Sequence, residues 1–260
     1  MRTHHAGLAL SALVALWQVA IWLGEPPSFL MPSPAAVAAA LVHRPGFFLE
    51  HGLVTLTEIL AGLLSGTALG IATAFGLAAL PRFGQLVWPI VLILQALPVF
   101  VLAPILVLWL GFGMASKVAM TTIIIFFPVA SAFADGLRRT DRAILDAVSL
   151  TEATHWQALI RIRVPLALPG LVSGLRVAAP LAPLAAVVGE WVGASAGLGF
   201  VMVQANARMQ TDTVFAAMAV LAALTILMRI AVDRLTAGLA PWAAETDPPA
   251  FRSLHRRDPR

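Results

Sequence analysis

The sequence has no cysteine, a single lysine and few charges of either sign: 17 basic and 13 acidic residues among 260, or 12%. Without cysteine there is no disulfide-stapled secreted domain, and the zinc and thiol chemistries that need a thiolate are excluded too. The charged share is about half that of an ordinary globular chain. Set against 60% hydrophobic residues, so few charges cannot cover the outside of a soluble fold, which excludes an ordinary cytosolic enzyme. The lone Lys117 follows Ser116 and precedes Val118, so there is no Gly-Lys-Ser/Thr phosphate loop. Any ATP-driven function must borrow its ATPase from another chain, and no cofactor is expected on this one. The histidines His4, His5, His43, His51, His155 and His255 are scattered without metal-ligand spacing, so no metal site is expected. The pI of about 11.2 reads as membrane topology and not as nucleic-acid binding.

What the chain has instead is long apolar runs, with a mean hydropathy of +0.89. Six stretches, residues 6–24, 53–80, 86–111, 118–134, 170–189 and 214–232, are long enough to cross a bilayer at roughly 20 residues per span. The expected fold is therefore an all-α membrane protein with six transmembrane helices. The second and third runs are too long to stand upright and should tilt or break, the third at Pro89, Pro98 or Pro104. The first run lacks a clear small-residue cleavage site before Glu25 and is read as a retained helix. With both termini in the cytoplasm, that side receives Arg2, Arg82, Arg138, Arg139, Arg142, Arg161, Arg163, Arg234, Arg252, Arg256, Arg257 and Arg260. The other side receives Arg44, Lys117 and Arg208. Twelve against three is a strong positive-inside asymmetry, so the expected topology is N-in and C-in. The domain division that follows is a first helix with an outer segment over 1–52, a core over 53–240 containing a cytoplasmic loop at 135–169, and a disordered tail over 241–260. The outer segment PPSFLMPSPAAVAAAL has room for a short surface helix in its second half.

Several groups are candidates for a role beyond packing. Gly62, Gly66 and Gly70, continued by Ala74 and Ala78, put a small-residue stripe on one face of the second span. That stripe suits close approach of another helix, within the chain or across a subunit interface. Ionisable residues at membrane depth are functional candidates because burying them is costly, which singles out Glu58, Arg176 and Glu190. Arg229 and Asp233 read instead as an i,i+4 pair near the inner surface. Pro180 and Pro183 should disrupt the fifth helix near mid-membrane, and unwound backbone there would line a cavity. Arg176, Pro180, Pro183 and Glu190 are thus the pathway candidates. GASAG at 193–197 fits a nucleophile elbow on paper, but the only later histidine is His255. A small-residue turn after a helix is the better reading, and no catalytic residue is assigned.

The inner loop reads DAVSLTEATHWQALIRIRVPLALPG, a helical stretch bracketed by Pro165 and Pro169 and joined to membrane helices at both ends. Its physics suggests a lever that passes a push into the bilayer. Here the sequence resembles the permease subunits of bacterial binding-protein-dependent ABC importers, whose cytoplasmic loop carries E-A-A-x3-G-x9-I-x-L-P. Counting back from Pro165, Asp146 stands at the Glu, Ala147 and Val148 at the two Ala, Glu152 at the Gly, Ile162 at the Ile and Val164 at the Leu. Glu152 departs from the pattern; as a good helix former it is expected to continue the helix and to find a partner such as His155. The resemblance extends through LMPSPAAV, LPVFVLAPILVLWLGFGMASK, PGLVSGLRVA and GASAGLGFVM, over roughly residues 30 to 242, toward the nitrate, sulfonate and taurine branch. Within it, GEWVGASAGLGFVMVQANARMQTD looks most like permeases for pyrimidine precursors of thiamine.

The resemblance implies a type I ABC importer permease fold with two permease copies forming the path. Two cytoplasmic ATPase subunits, which would use the ATP, would dock on the loops, and an extracytoplasmic binding protein would deliver the substrate. Trp156 and Ile162 are expected to insert into an ATPase groove with Arg161 and Arg163 at its rim. The expected solute is a hydroxymethylpyrimidine-type thiamine precursor, with aliphatic sulfonate, taurine or nitrate as the alternative. An ion-coupled secondary transporter is the rival from another class, and would need inverted repeats and paired intramembrane carboxylates.

Overall fold

A computed structural model of the chain describes residues 2–96 and 98–243. Among them are eleven α-helices and no strand. Helix α1, Arg2–Gly24, is exposed along most of its length, and Trp17 stacks on Phe215 at 5.5 Å between ring centroids. The short helix foreseen after it is α2, Pro34–His43. Ser33 caps it by accepting the Ala36 N–H at 3.1 Å, and Pro34 fills a first-turn position whose N–H would have no helical partner.

Helix α3, Pro45–Ala79, has 35 residues, roughly 52 Å at 1.5 Å per residue. It exceeds the hydrocarbon thickness of about 30 Å and must tilt or project. Its stripe meets α6, Met114–Arg138: a Cβ at Gly62, Gly66 or Gly70 would run into Thr121, Ile125 or Val129. The stripe therefore serves packing within the chain. Helix α6 in turn lies against α9, Val164–Gly193, so closely that a Cβ at Gly174 would run into the Pro128 carbonyl and Ala132, and one at Gly136 would crowd Ala167. Ile59, Ile125, Val129, Phe133, Ala178, Ala182 and Ala186 fill the space among the three helices. Lipid tails are as apolar as these side chains, so dispersion at close backbone approach holds the trio together, which is why small residues line the contacts.

The third apolar run forms two shorter helices, α4, Pro81–Ala96, and α5, Val99–Leu110. Of its three prolines, Pro98 marks the break; it is extended at φ −62° and ψ 108° ahead of α5. Pro89 and Pro104 stay inside helices. Among the described residues five helices are long and apolar enough to span a membrane, at Gly7–Gly24, Pro45–Ala79, Met114–Arg138, His155–Gly193 and Thr211–Thr236.

Two expectations are corrected here. Lys117 is not in an outer loop but is buried within α6, at 2% exposure. Pro165 and Pro169 do not end the loop helix, nor do Pro180 and Pro183 unwind the fifth span. The chain is helical throughout His155–Gly193, as α8, His155–Ala158, a π-helical turn at Leu159–Arg163 and α9. A proline withholds one hydrogen bond and crowds the preceding turn, and the wide π turn sits just where Pro165 does so. The remaining helices are α7, Arg142–Ser149, α10, Leu198–Ala207, and α11, Thr211–Thr236. Most of the tail expected to be disordered, residues 244–260, lies outside the described residues.

Candidate functional site: an exposed lever and a buried polar network

The lever is built by local capping. Asp141 starts α7, its carboxylate accepting the Ala143 N–H at 2.9 Å. Thr154 starts α8 with a capping box: its hydroxyl accepts the Gln157 N–H at 3.3 Å, and its own N–H donates to the Gln157 side chain at 2.9 Å. Each cap satisfies donors that the first turn of a helix leaves open. Between the two helices Glu152 takes a φ of +55°, the left-handed region that glycine enters at no steric cost. The expectation that Glu152 continues the helix is thus wrong. The turn that a glycine would make is kept, with glutamate in it, and among the described residues Glu152 forms no ion pair with His155.

Asp146, Ala147, Glu152 and Trp156 are exposed on this lever, while Ile162 and Pro165 are half-buried at the root of α9. Leu150 at 86% exposure and Trp156 at 51% form an apolar lip, the Trp156 ring lying 6.2 Å from that of Phe75 on α3. Leu159, fully buried, anchors the π turn in the core. Arg163 turns back onto the bundle. Its Nε and Nη2 donate to the Leu137 carbonyl at 3.1 and 2.8 Å, closing the last turn of α6, where carbonyls lack helical partners.

At the opposite end of α9, Glu190 is buried at 2% exposure. The start of α10 has no capping side chain of its own, because its N-cap is Gly197. Its open N–H groups are taken by side chains from other helices. Gly197 N–H donates to His51 Nδ1 at 3.0 Å, Leu198 N–H to the Thr55 hydroxyl at 2.8 Å, and Gly199 N–H to Glu190 Oε2. The Thr55 hydroxyl donates to Glu190 Oε1 at 2.6 Å, and Glu58, buried on α3, brings a second carboxyl to the network. A negative group at a helix N-terminus also meets the positive end of the helix dipole. Gly197 sits at φ +110° with Glu190 pressed against it, leaving no room for a Cβ.

Lys117 closes the network from the other side. Its ammonium donates to the carbonyls of Phe112, of Gly113 at 2.9 Å and of Gly193 at 2.6 Å, and its charge acts on both Glu58 and Glu190. One cation thereby caps the C-terminal end of α9 and ties it to the connection between α5 and α6.

Of the four pathway candidates, Pro180 is exposed, Pro183 is buried and Glu190 points into the network. Arg176 is engaged between α9 and α11, its Nε 3.1 Å from the Asp233 carboxylate. Arg229 makes the foreseen i,i+4 pair with Asp233 at 2.8 Å. His51, Thr55 and Lys117 were missed in the sequence. The one available signal was that the only lysine opens an apolar span, but nothing in the sequence says which carbonyls it meets. Among the described residues no cluster of three or more histidine or acidic side chains could hold a metal. The GASAG turn follows a helix and precedes a helix, without the strand an elbow needs.

An all-α bundle of membrane-length helices, with an exposed lever rooted in one of them, defines a multi-pass helical membrane protein. Residues 66–244 match the family described as the binding-protein-dependent transport system inner membrane component, and the chain belongs to that family. It is 44% identical to a probable ABC transporter permease of Haemophilus influenzae over 88% of this chain and 93% of the relative. It is 36% identical to a formylaminopyrimidine transport permease of Halalkalibacterium halodurans over 88% and 92% of the two chains. Identity to a riboflavin transport system permease of Chloroflexus aurantiacus is 32%, over 91% and 89%. The protein is a multi-pass inner-membrane transport subunit and not an enzyme. Membership implies a system of ATPase, substrate-binding protein and paired permeases.

Proposed function

We propose that this chain imports a small polar N-heterocycle of the hydroxymethylpyrimidine kind as a homodimer, with six spans per copy, both termini in the cytoplasm, and α7 and α8 docked on the ATPase. The observation that carries the reading is the unbroken helix His155–Gly193. At 39 residues it is roughly 58 Å long, so a push delivered at α8 is felt at the Glu190 network. The π turn at its root departs from α-helical geometry, as such turns often do at functional positions. ATP-driven closure of the ATPases would rock α9, with the partners' unequal affinity for the two conformations supplying the bias. The arginine asymmetry supports the orientation, and the uncharged serine, valine, proline and leucine exposed on α9 support an uncharged path. Ser173, Val177, Pro180 and Leu184 are exposed on α9 and turn away from the chain's own core, which suits a second copy and the path beside it.

The formylaminopyrimidine and riboflavin permeases among the relatives support a heterocyclic solute. A dianion would want basic groups at mid-membrane, and the α9 face offers none. The Glu58 and Glu190 pair is the kind of feature an ion-coupled transporter would use, but the Glu190 oxygens are committed to Thr55 on α3 and Gly199 on α10. Growth of a deletion strain tests the substrate. Loss of rescue by pyrimidine precursors is expected; loss of growth on sulfonates, taurine or nitrate with precursor rescue intact would contradict it. For orientation, reporters fused after Gly113 or Ser195 should face away from the cytoplasm, and a cytoplasmic signal from either would overturn the topology.

A further inference from the structure

At the lever end of the bundle, the last turn of α3, helix α4, the last turn of α6 and the π turn enclose a cleft of about 480 Å³. Its walls are apolar, among them Ala74, Leu77 and Trp88, and two guanidinium groups, Arg138 and Arg163, also line it. Arg138 lies over the Trp88 ring with its Cζ 4.5 Å from the centroid. This arrangement holds the charge in place by the ring's electron-rich face. Arg163 uses only Nε and one Nη2 hydrogen on Leu137, so its remaining donors stay available. Among the described residues neither arginine has a carboxylate partner, and no acidic side chain lines the cleft. At the α3–α4 junction beside it, Leu80 and Leu86 are exposed at 58% and 70%, a surface made for lipid. Two uncompensated arginines over an apolar floor at the end of membrane-length helices suit a ligand with an anionic head and a greasy body.

We propose that this cleft binds the phosphodiester headgroup of an anionic phospholipid of the cytoplasmic leaflet. Arg138 and Arg163 hold the phosphate, and Trp88 and Leu77 lie against the glycerol and the first acyl carbons. The choice of leaflet rests on the reading above that α7 and α8 face the cytoplasm. A lipid seated here would brace α4 against α6 and the π turn, next to the root of the lever.

The test is native mass spectrometry of the transporter purified with its ATPase partner, titrated with phosphatidylglycerol or phosphatidylcholine, with inorganic phosphate as competitor. Phosphatidylglycerol should bind in preference to phosphatidylcholine. Arg138→Gln should weaken it about fivefold and the double variant with Arg163→Gln about 25-fold, while Arg234→Gln, on the exposed end of α11, leaves it unchanged. If loss of the Arg163 cap unfolds the double variant, Arg138→Gln decides alone, because that side chain is exposed. Equal binding of the two lipids, or wild-type binding by Arg138→Gln, would overturn the proposal. Displacement of phosphatidylglycerol by inorganic phosphate at matching concentration would overturn it too, marking a free-anion site. The readout needs no substrate, so arginine-dependent lipid binding in a transporter that does not import pyrimidines would sink only the earlier reading. Normal pyrimidine import without arginine-dependent lipid binding would sink only this one.

Discussion

Glu152 holds a left-handed backbone at the place where related loops carry glycine, and holding it there costs a non-glycine residue about 1 kcal/mol. Glu152→Gly should therefore raise thermal stability by about 0.5 kcal/mol, after allowing for the added freedom of the unfolded chain, and leave transport intact. A lower melting temperature in detergent would contradict the turn assignment. Glu190 behaves differently because its oxygens accept from Thr55 and Gly199. In Glu190→Gln one of those positions becomes an NH₂ facing a donor, at a cost of about 1–3 kcal/mol. Hydrogen exchange of the amides at 198–201 should accelerate while that of α6 does not. Unchanged exchange at α10 would show that Glu190 does not hold it. Both residues were visible in the sequence, Glu152 as a departure from the pattern and Glu190 as a charge at depth. The geometry each one has was not visible. A residue's φ depends on where two helices must meet, and partners 135 residues apart, as Thr55 and Glu190 are, leave no local trace.

Among the elements, α3 and α6 depend on backbone approach at Gly62, Gly66 and Gly70. Gly66→Leu would drive side-chain atoms into Ile125 and the Thr122 carbonyl and should cost about 3 kcal/mol by overpacking. Gly76→Ala, on the same helix with nothing within 4 Å of the added Cβ, should instead stabilise by about 0.5–1 kcal/mol. Thermal unfolding followed by tryptophan fluorescence separates the two; similar shifts in both would refute the packing. The four-residue spacing of the stripe was plain in the sequence, because a helix puts such positions on one face. Its partner was not, since small residues suit any neighbour. The break of the third run at Pro98 was among the options the sequence left open. Continuity through Pro165, Pro169, Pro180 and Pro183 was not foreseen. A proline weakens a helix locally, but packing of Ala167, Ala179, Ala182 and Pro183 in the interior holds α9 together on either side, and tertiary packing overrides the local preference.

For the whole molecule, scarcity of charge and the long apolar runs were enough to indicate a helical membrane protein, and the missing phosphate loop pointed to an ATPase on another chain. In the proposed mechanism the exposed lip of α7 and α8 receives that ATPase's motion and passes it along α9. Leu150 protrudes from the lever and Trp156 is half exposed, with its ring beside Phe75, so their replacement should leave folding intact. Loss of an aromatic anchor such as Trp156 costs about 2 kcal/mol of docking, roughly thirtyfold in affinity. The most direct measurement is ATP-dependent uptake by proteoliposomes containing the permease, its ATPase and its binding protein, compared between wild type and Leu150→Asp/Trp156→Ala at equal permease content. Uptake should collapse and the ATPase should no longer co-purify, with the melting temperature of the permease unchanged. Uptake and co-purification at wild-type levels would contradict it.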